Sequence, residues 1–346
     1  MSPVPIECGG NASFSHPSEI FNPVSYLALD DTDDALFSEA DKVVFEDGRI
    51  FIADYKLGRL LSFSADGSLA LSINKRGRGP QEYVDITGFS VNGDKIFILD
   101  NNMGVVLCYS ASDGSFIERW PIDFEAWDIE ALDNGNLLFA FAPLSLIKNR
   151  KREDCYRFVI TDPEMKPVSR MIPFDSSGFD LLSYRHYLSA SGDKIISAAF
   201  DIDGCYVFDR ADGSLESSYS LMLDHPIPMD RRADFNALMS NPVNYVAFAP
   251  LIGGQVIQFM VRGDAGVEPI LYDTADGRLS KNDMTDFSCF ICDVVCGTPD
   301  GFVALWTGSA NYDFLSENGF PKAAAEVESA IRSGAPMLVF YKIKGE

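Results

Sequence analysis

The sequence predicts an all-β chain: a six-bladed β-propeller of four-stranded antiparallel blades. The ring is closed by an N-terminal strand in the last blade, and one helical insertion lies near the C-terminus. Three observations carry this. A phrase repeats: Asp47-Gly48-Arg49-Ile50-Phe51-Ile52-Ala53-Asp54 is echoed by Gly93-Asp94-Lys95-Ile96-Phe97-Ile98-Leu99-Asp100. The period is about 45 residues, which among short strands marks a propeller or solenoid. Next, the runs Ile50-Phe51-Ile52 and Ile96-Phe97-Ile98-Leu99 are apolar on both strand faces. A sandwich strand would alternate, whereas the middle strands of a blade are covered by a neighbour on each side. Finally, the strands are almost never separated by the helices of roughly 10–15 residues that a parallel α/β sheet needs.

Gly and Asp punctuation then cuts the chain into strands. Blade 1 takes 41–46, 49–54, 59–64 and 69–74; blade 2 takes 86–91, 95–100, 105–110 and 115–122. Blade 3 takes 126–132, 136–141, 156–161 and 167–173; blade 4 takes 184–190, 194–200, 204–209 and 215–221. Blade 5 takes 243–248, 255–261, 268–272 and a weak 278–281. Blade 6 has three strands of its own, 287–295, 302–307 and 337–343, and the unpartnered segment 24–29 completes it. Closing the ring in this way removes the sheet edges that an open array would expose.

One helix is expected at 321–332, with Pro321 in the first turn and Gly334 at the stop. A shorter candidate runs over 230–239. Residues 1–22 are expected as a flexible leader and 23–346 as a single propeller with insertions at 143–155, 222–242 and 308–336. In a propeller, the second-to-third strand loops and the blade-to-blade connections open on one face. These insertions, with 175–183, all fall in those two loop classes. The opposite face keeps tight turns such as Asp113-Gly114 and Asp212-Gly213. Long loops in a compact fold usually carry function or disorder, so activity is expected on the elaborated face.

The formal charge of −23 excludes a nucleic-acid binder and docking on anionic lipid. No stretch reaches the roughly 18 apolar residues needed to span a bilayer. Residues 1–11 show neither a charged n-region nor an apolar h-region, so an export signal is not visible in them. Seven scattered cysteines make no disulfide framework.

Between blades 1 and 2 stands Lys75-Arg76-Gly77-Arg78-Gly79-Pro80-Gln81-Glu82-Tyr83. It resembles the Gly-x-Gly-Pro-x-Glu-Tyr signature of a large family of bacterial six-bladed β-propellers, TolB-like in architecture and often exported as lipoproteins. Leu27-Ala28-Leu29-Asp30 with Asp33, Asp34 and Leu36, and the phrases ending at Asp54 and Asp100, are also similar to that family. The resemblance covers about residues 24–120 and departs from the pattern at Gln81, where Gly is common. It implies the fold and export to the periplasm or cell surface, with a lipid anchor outside the given residues compatible; it implies no chemistry, since members mostly lack an assigned activity.

Two readings of this motif stand side by side. In one it is a tight crossover: Gly77 and Gly79 permit positive φ, Pro80 fixes the exit, Tyr83 wedges between blades and Glu82 pairs with Arg76 or Arg78. In the other, the arginines and glycine amides hold a carboxylate or phosphate. The loop is not a P-loop, since no Gly-Lys-Ser/Thr or helix follows.

Tyr184-Arg185-His186-Tyr187, entering blade 4 on the elaborated face, is the other candidate cluster. It could bind an acidic sugar or act as base and clamp, or be ordinary packing at a strand end. Cys289 and Cys292, three apart on an expected strand, point to opposite faces and cannot chelate together. No catalytic residue, metal site or cofactor is assigned. The ligand-binding candidates are Arg76, Arg78, Glu82, Tyr83, Tyr184, Arg185 and His186. The expected function is non-enzymatic binding of a glycan, peptide or protein partner on the elaborated face. The alternative is a sugar-acid lyase or lactonase at the channel mouth.

Overall fold

Each copy of the repeated phrase becomes the second strand of a blade, Arg49–Asp54 in blade 1 and Lys95–Asp100 in blade 2. The double-sided apolarity is used as expected. Phe51 packs between blades 1 and 2, while Ile50 and Ile52 pack in the layer between blades 6 and 1. The computed structural model describes residues 2–10, 12–141, 156–174, 186–199, 202–228, 231–232, 234–239, 243–263 and 266–345.

The strands form six sheets, each built around antiparallel neighbours, with apolar layers between them. The inner strands of blades 1 to 4 are Lys42–Glu46, Gly88–Asn92, Asp128–Ala131 and Leu188–Ser191. Blade 6 is closed as expected: Ser25–Ala28 pairs antiparallel with Met337–Lys342 as the outermost strand. The ring is therefore sealed by a segment more than three hundred residues distant in sequence from its partner.

Four expectations change. The first 22 residues are not a loose leader. Val4–Glu7 adds in parallel to Leu215–Met222, making blade 4 five-stranded, and Ile6 is buried among Cys205, Val207 and Leu221. The strap then bridges Ser15 to Ser280 of blade 5 and Phe21 to Ile343 of blade 6. The inner strand of blade 5 is broken into Tyr245–Val246 and Leu251–Gly253, both paired with Val256–Gly263. Pro250 stands in the break and has no N–H to give to a ladder. The first strand of blade 6 is Val294–Thr298, later than expected. Cys289 and Cys292 thus lie in the crossover before it and not on a strand, yet both pack in the apolar layer around Trp306 and Tyr341.

The helical insertion of blade 6 is two helices. A short α1 (Phe235–Leu238) comes first in the chain; α2 (Ala310–Glu317) and α3 (Ala325–Ser333) fill the second-to-third strand loop. Pro321 stays outside α3, whose N-cap is Ala324; Gly334 ends it with φ 111°. Only Tyr312 and Leu315 of α2 are buried, so its sequence has little amphipathic pattern to announce it. The expected insertion at 143–155 and the segment 175–183 lie outside the described residues.

Candidate functional site

The propeller axis is filled by a charged column. Lys42 opens the inner strand of blade 1, and its Nζ meets Asp128 Oδ1 at 2.8 Å and Glu130 Oε1 at 2.9 Å, both from blade 3. Asp128 and Glu130 are two apart on one strand, so both point inward. From blade 2, the Ser90 hydroxyl donates to Glu130 Oε2 at 2.6 Å. From blade 4, the Tyr187 and Leu188 amides donate to Asp128 Oδ2. Gly88 makes room for this, because a Cβ there would lie 2.7 Å from Asp128 Oδ1. All four charged or polar side chains are at most 1% exposed.

Burial opposes the charge on Lys42, but the two carboxylates outweigh it and hold its pKa above the usual lysine value. Glu130 moves above the ordinary carboxylate range, because burial and the neighbouring Asp128 exceed the help from Lys42 and Ser90. One ammonium facing two buried carboxylates explains the direction.

At the plain end, Arg210 ties four blades together. It pairs bidentately with Glu46 of blade 1 at 2.9 and 3.1 Å and donates to the Val91 carbonyl of blade 2 at 2.8 Å. Its own carbonyl accepts from the Asp133 amide of blade 3. Burial disfavours the charge, and Glu46 more than compensates. Buried charges thus meet on the axis near the start of the inner strands, and again at the plain end.

The closing Asp of the repeat builds the elaborated face. Asp54 Oδ1 accepts from the Leu57 amide, while Oδ2 takes the Ser38 amide at 2.5 Å, the Ser38 hydroxyl and the Glu39 amide. Asp100 repeats this with Met103, Val84 and Asp85. In each blade one carboxylate fastens the incoming crossover to the following turn. Burial resists ionisation of Asp54, but these donors prevail and its pKa falls below the usual value.

The crossover held by Asp54 lines a cavity of about 490 Å³ at the seam between blades 6 and 1, on the elaborated face. Phe37, Ser38 and Glu39 form one side; Asp293 and Asn311 stand on the other, from blade 6 and α2, while the Trp306 ring is buried in the layer on the far face of blade 6. Asp293 has φ 51°, and the Asn311 Nδ2 donates to its carboxylate at 2.5 Å. Asp293 is exposed to solvent on one side; burial of the other side raises its pKa slightly above the ordinary carboxylate value, against the help of Asn311. A second cavity of about 500 Å³ opens at the same seam on the plain face, between Leu27, Phe45, Ile50 and Phe340. The former carries the few fixed polar groups, in a volume within the roughly 300–1,000 Å³ typical of small-ligand sites.

The candidate residues from sequence fare unequally. Tyr83 is fully buried, its hydroxyl on the Gly58 and Ile73 carbonyls and its ring edge-on to Tyr109; it cannot meet a ligand. Glu82 is turned into its own loop and accepts from the Gly79 amide at 2.7 Å. Neither Gly77 nor Gly79 adopts positive φ. Gly77 is needed for space instead, since a Cβ there would lie 2.0 Å from Glu82 Oε2. Arg76 donates to the Val84 and Lys56 carbonyls and not to Glu82; Arg76 and Arg78 are exposed. His186 is half-buried at the channel mouth, 3.4 Å from the Asp41 carbonyl, with its pKa lowered by burial against the pull of Asp128. Tyr184 and Arg185 lie outside the described residues. The column of Lys42, Ser90, Asp128 and Glu130 went unread in the sequence. Its signal was charged side chains at i, i+2 on an inner strand.

The family described as 6-bladed beta-propeller, DUF5128, matches residues 6–237. The chain belongs to this family. Among solved structures, one similar to it is a Bacteroides fragilis protein named as a candidate exported protein. It is 17% identical with TM-score 0.77, over 99% of this chain and 100% of that one. Another is a member of the DUF4221 family from Bacteroides vulgatus, 12% identical with TM-score 0.55, over 94% of this chain and 98% of that one. Likeness at these identities shows the fold alone. No curated protein matches the sequence. No helix among the described residues is long and apolar enough to cross a membrane, and no group of three or more His, Cys, Asp or Glu side chains there could hold a metal ion.

Proposed function

We propose that this propeller is an exported, non-enzymatic binding protein whose elaborated face takes a glycan, a peptide or a partner protein around the seam pocket of blades 6 and 1. The observation that carries this reading is the occupied axis. The Lys42 column and the Arg210 hub occupy the path that a channel-bound substrate would use. The face that remains holds the cavity with fixed polar groups and the exposed Arg76 and Arg78. Export is supported by the similar Bacteroides fragilis protein, whose name carries it.

The test is a titration of oligosaccharide and peptide panels against the protein and three variants. Asn311→Ala or Arg76→Ala is expected to weaken binding at least tenfold, with Asp113→Ala on the plain face neutral. Loss confined to Asp113→Ala would move binding to the other face and overturn the reading. Chemical conversion of any panel member, dependent on a stoichiometric metal seen by elemental analysis, would overturn its non-enzymatic part.

A further inference from the structure

The crossover between blades 1 and 2 indicates the charge of what the elaborated face binds, and so rests on the reading of that face given above. Four cations gather there. Arg76 lies across Gly58, where a Cβ would stand 3.3 Å from its Cδ. Its Nε and Nη1 are fixed by the Val84 and Lys56 carbonyls, which leaves Nη2 without a partner among the described residues. Lys56 and Arg78 are exposed, and neither side chain has a partner there. Arg119, on the outer strand Phe116–Pro121 of blade 2, approaches from the other side. It acts electrostatically on Tyr109, whose hydroxyl donates to the Gln81 carbonyl of the crossover. No carboxylate pairs with any of the four among the described residues, whereas Arg210, Arg278 and Arg332 each have one. In a chain with 51 Asp and Glu against 28 Lys and Arg, a random neighbour would more often be an acid. The crossover's own acids are turned to amides, Glu82 to that of Gly79 and Asp85 to that of Ile86.

We propose that this crossover binds an acidic glycan, with Lys56, Arg76, Arg78 and Arg119 meeting the carboxylates or sulfates of its sugars. A guanidinium offers paired N–H donors to such an oxyanion. Asn74 and Gln81 of the same crossover are exposed and offer amides to sugar hydroxyls, which an acidic peptide does not need. Side chains alone make the contact. The Gly77 amide is spent on the Tyr83 carbonyl and the Gly79 amide on Glu82, so the loop has no backbone nest for a single small anion. Cations on both sides of an exposed loop suit a polymer whose charges repeat. The formal charge of −23 keeps that polymer off the rest of the surface.

The probes are a uronic-acid oligosaccharide, a sulfated oligosaccharide, a neutral glucan and an oligoglutamate, matched in length and titrated by calorimetry against the full chain. One acidic glycan or both should bind at least tenfold more tightly than the neutral glucan and the oligoglutamate; the tighter of the two names the anionic group. Binding should weaken as salt rises from about 0.1 to 1 M, where the Debye length falls from about 10 to 3 Å. Arg78→Gln with Arg119→Gln should lower the affinity at least tenfold. Neither side chain has a partner among the described residues, so the melting temperature should hold and serves as the folding control. Lys166→Gln, on an exposed side chain in a tight turn of the plain face, should leave binding unchanged. Acidic-glycan binding indifferent to the double change would overturn the site. Oligoglutamate binding as tight as either glycan would overturn the glycan. Binding of the neutral glucan alone, lost in Asn311→Ala, would overturn the anion chemistry and leave the elaborated-face reading intact. Acidic-glycan binding lost in Lys166→Gln and kept in the double variant would overturn both.

Discussion

Replacing Lys42 by Met is the sharpest test of the axial column. The substitution keeps length and apolar stem and removes only the charge that faces Asp128 and Glu130. Leaving buried carboxylates without their partner typically costs about 3–5 kcal/mol. The structure places the value toward the lower end for Asp128, whose oxygens keep the amides of Ile129, Tyr187 and Leu188. Glu130 keeps only the Ser90 hydroxyl, so most of the cost falls there. The assay is urea unfolding followed by tryptophan fluorescence and circular dichroism.

The pH dependence has a definite sign. Glu130 is already raised in the folded protein, so its contribution is fully present below the unfolded carboxyl pKa and is lost as pH rises through the folded value. Removing Lys42 raises it further. The deficit of Lys42→Met should therefore be greatest near neutral pH and shrink toward pH 5. Adding Glu130→Gln to Lys42→Met should restore more than half of the loss, since it removes the stranded charge. A loss under about 1 kcal/mol, or a deficit that grows on acidification, would refute the reasoning.

Three further outcomes are expected. Asp100→Ala frees the Val84, Asp85 and Met103 amides and should cost about 2 kcal/mol, read in the same unfolding assay. Gly77→Ala forces Glu82 out of its loop and should lower the melting temperature, while Arg78→Ala, on an exposed side chain, should leave it unchanged. Ile6→Asp should release the strap without unfolding the ring. Hydrogen exchange at the outer strand of blade 4, from Tyr219 to Met222, is expected to accelerate while the inner strands stay protected.

Much of the fold was legible because each repeat states its own local rule. The Gly turn, the two-faced apolar run and the closing Asp are all short-range, and they returned blades 1 and 2 nearly residue for residue. The closing strand was legible by elimination, since Ser25–Ala28 had no other place to pair. The strap was not legible. Val-Pro-Ile-Glu is four residues with one anchor, and its partner strand is some two hundred residues away and parallel. The motif around Gly77 was legible as a crossover, but its reason was not. The glycine answers to the position of the Glu82 carboxylate, which only the folded loop fixes.

The sequence by itself determined the repeat, the number of blades and the ring closure. These follow from local turn chemistry and from apolarity on both strand faces, which any reader of the chain can count. Only the tertiary structure decided what meets at the axis and at the seam. Lys42, Ser90, Asp128 and Glu130 come from three blades, and Asp293 and Asn311 meet the crossover at Phe37–Glu39 across the join of the chain's two ends. Such meetings depend on closure of the ring, and no spacing along the chain records them.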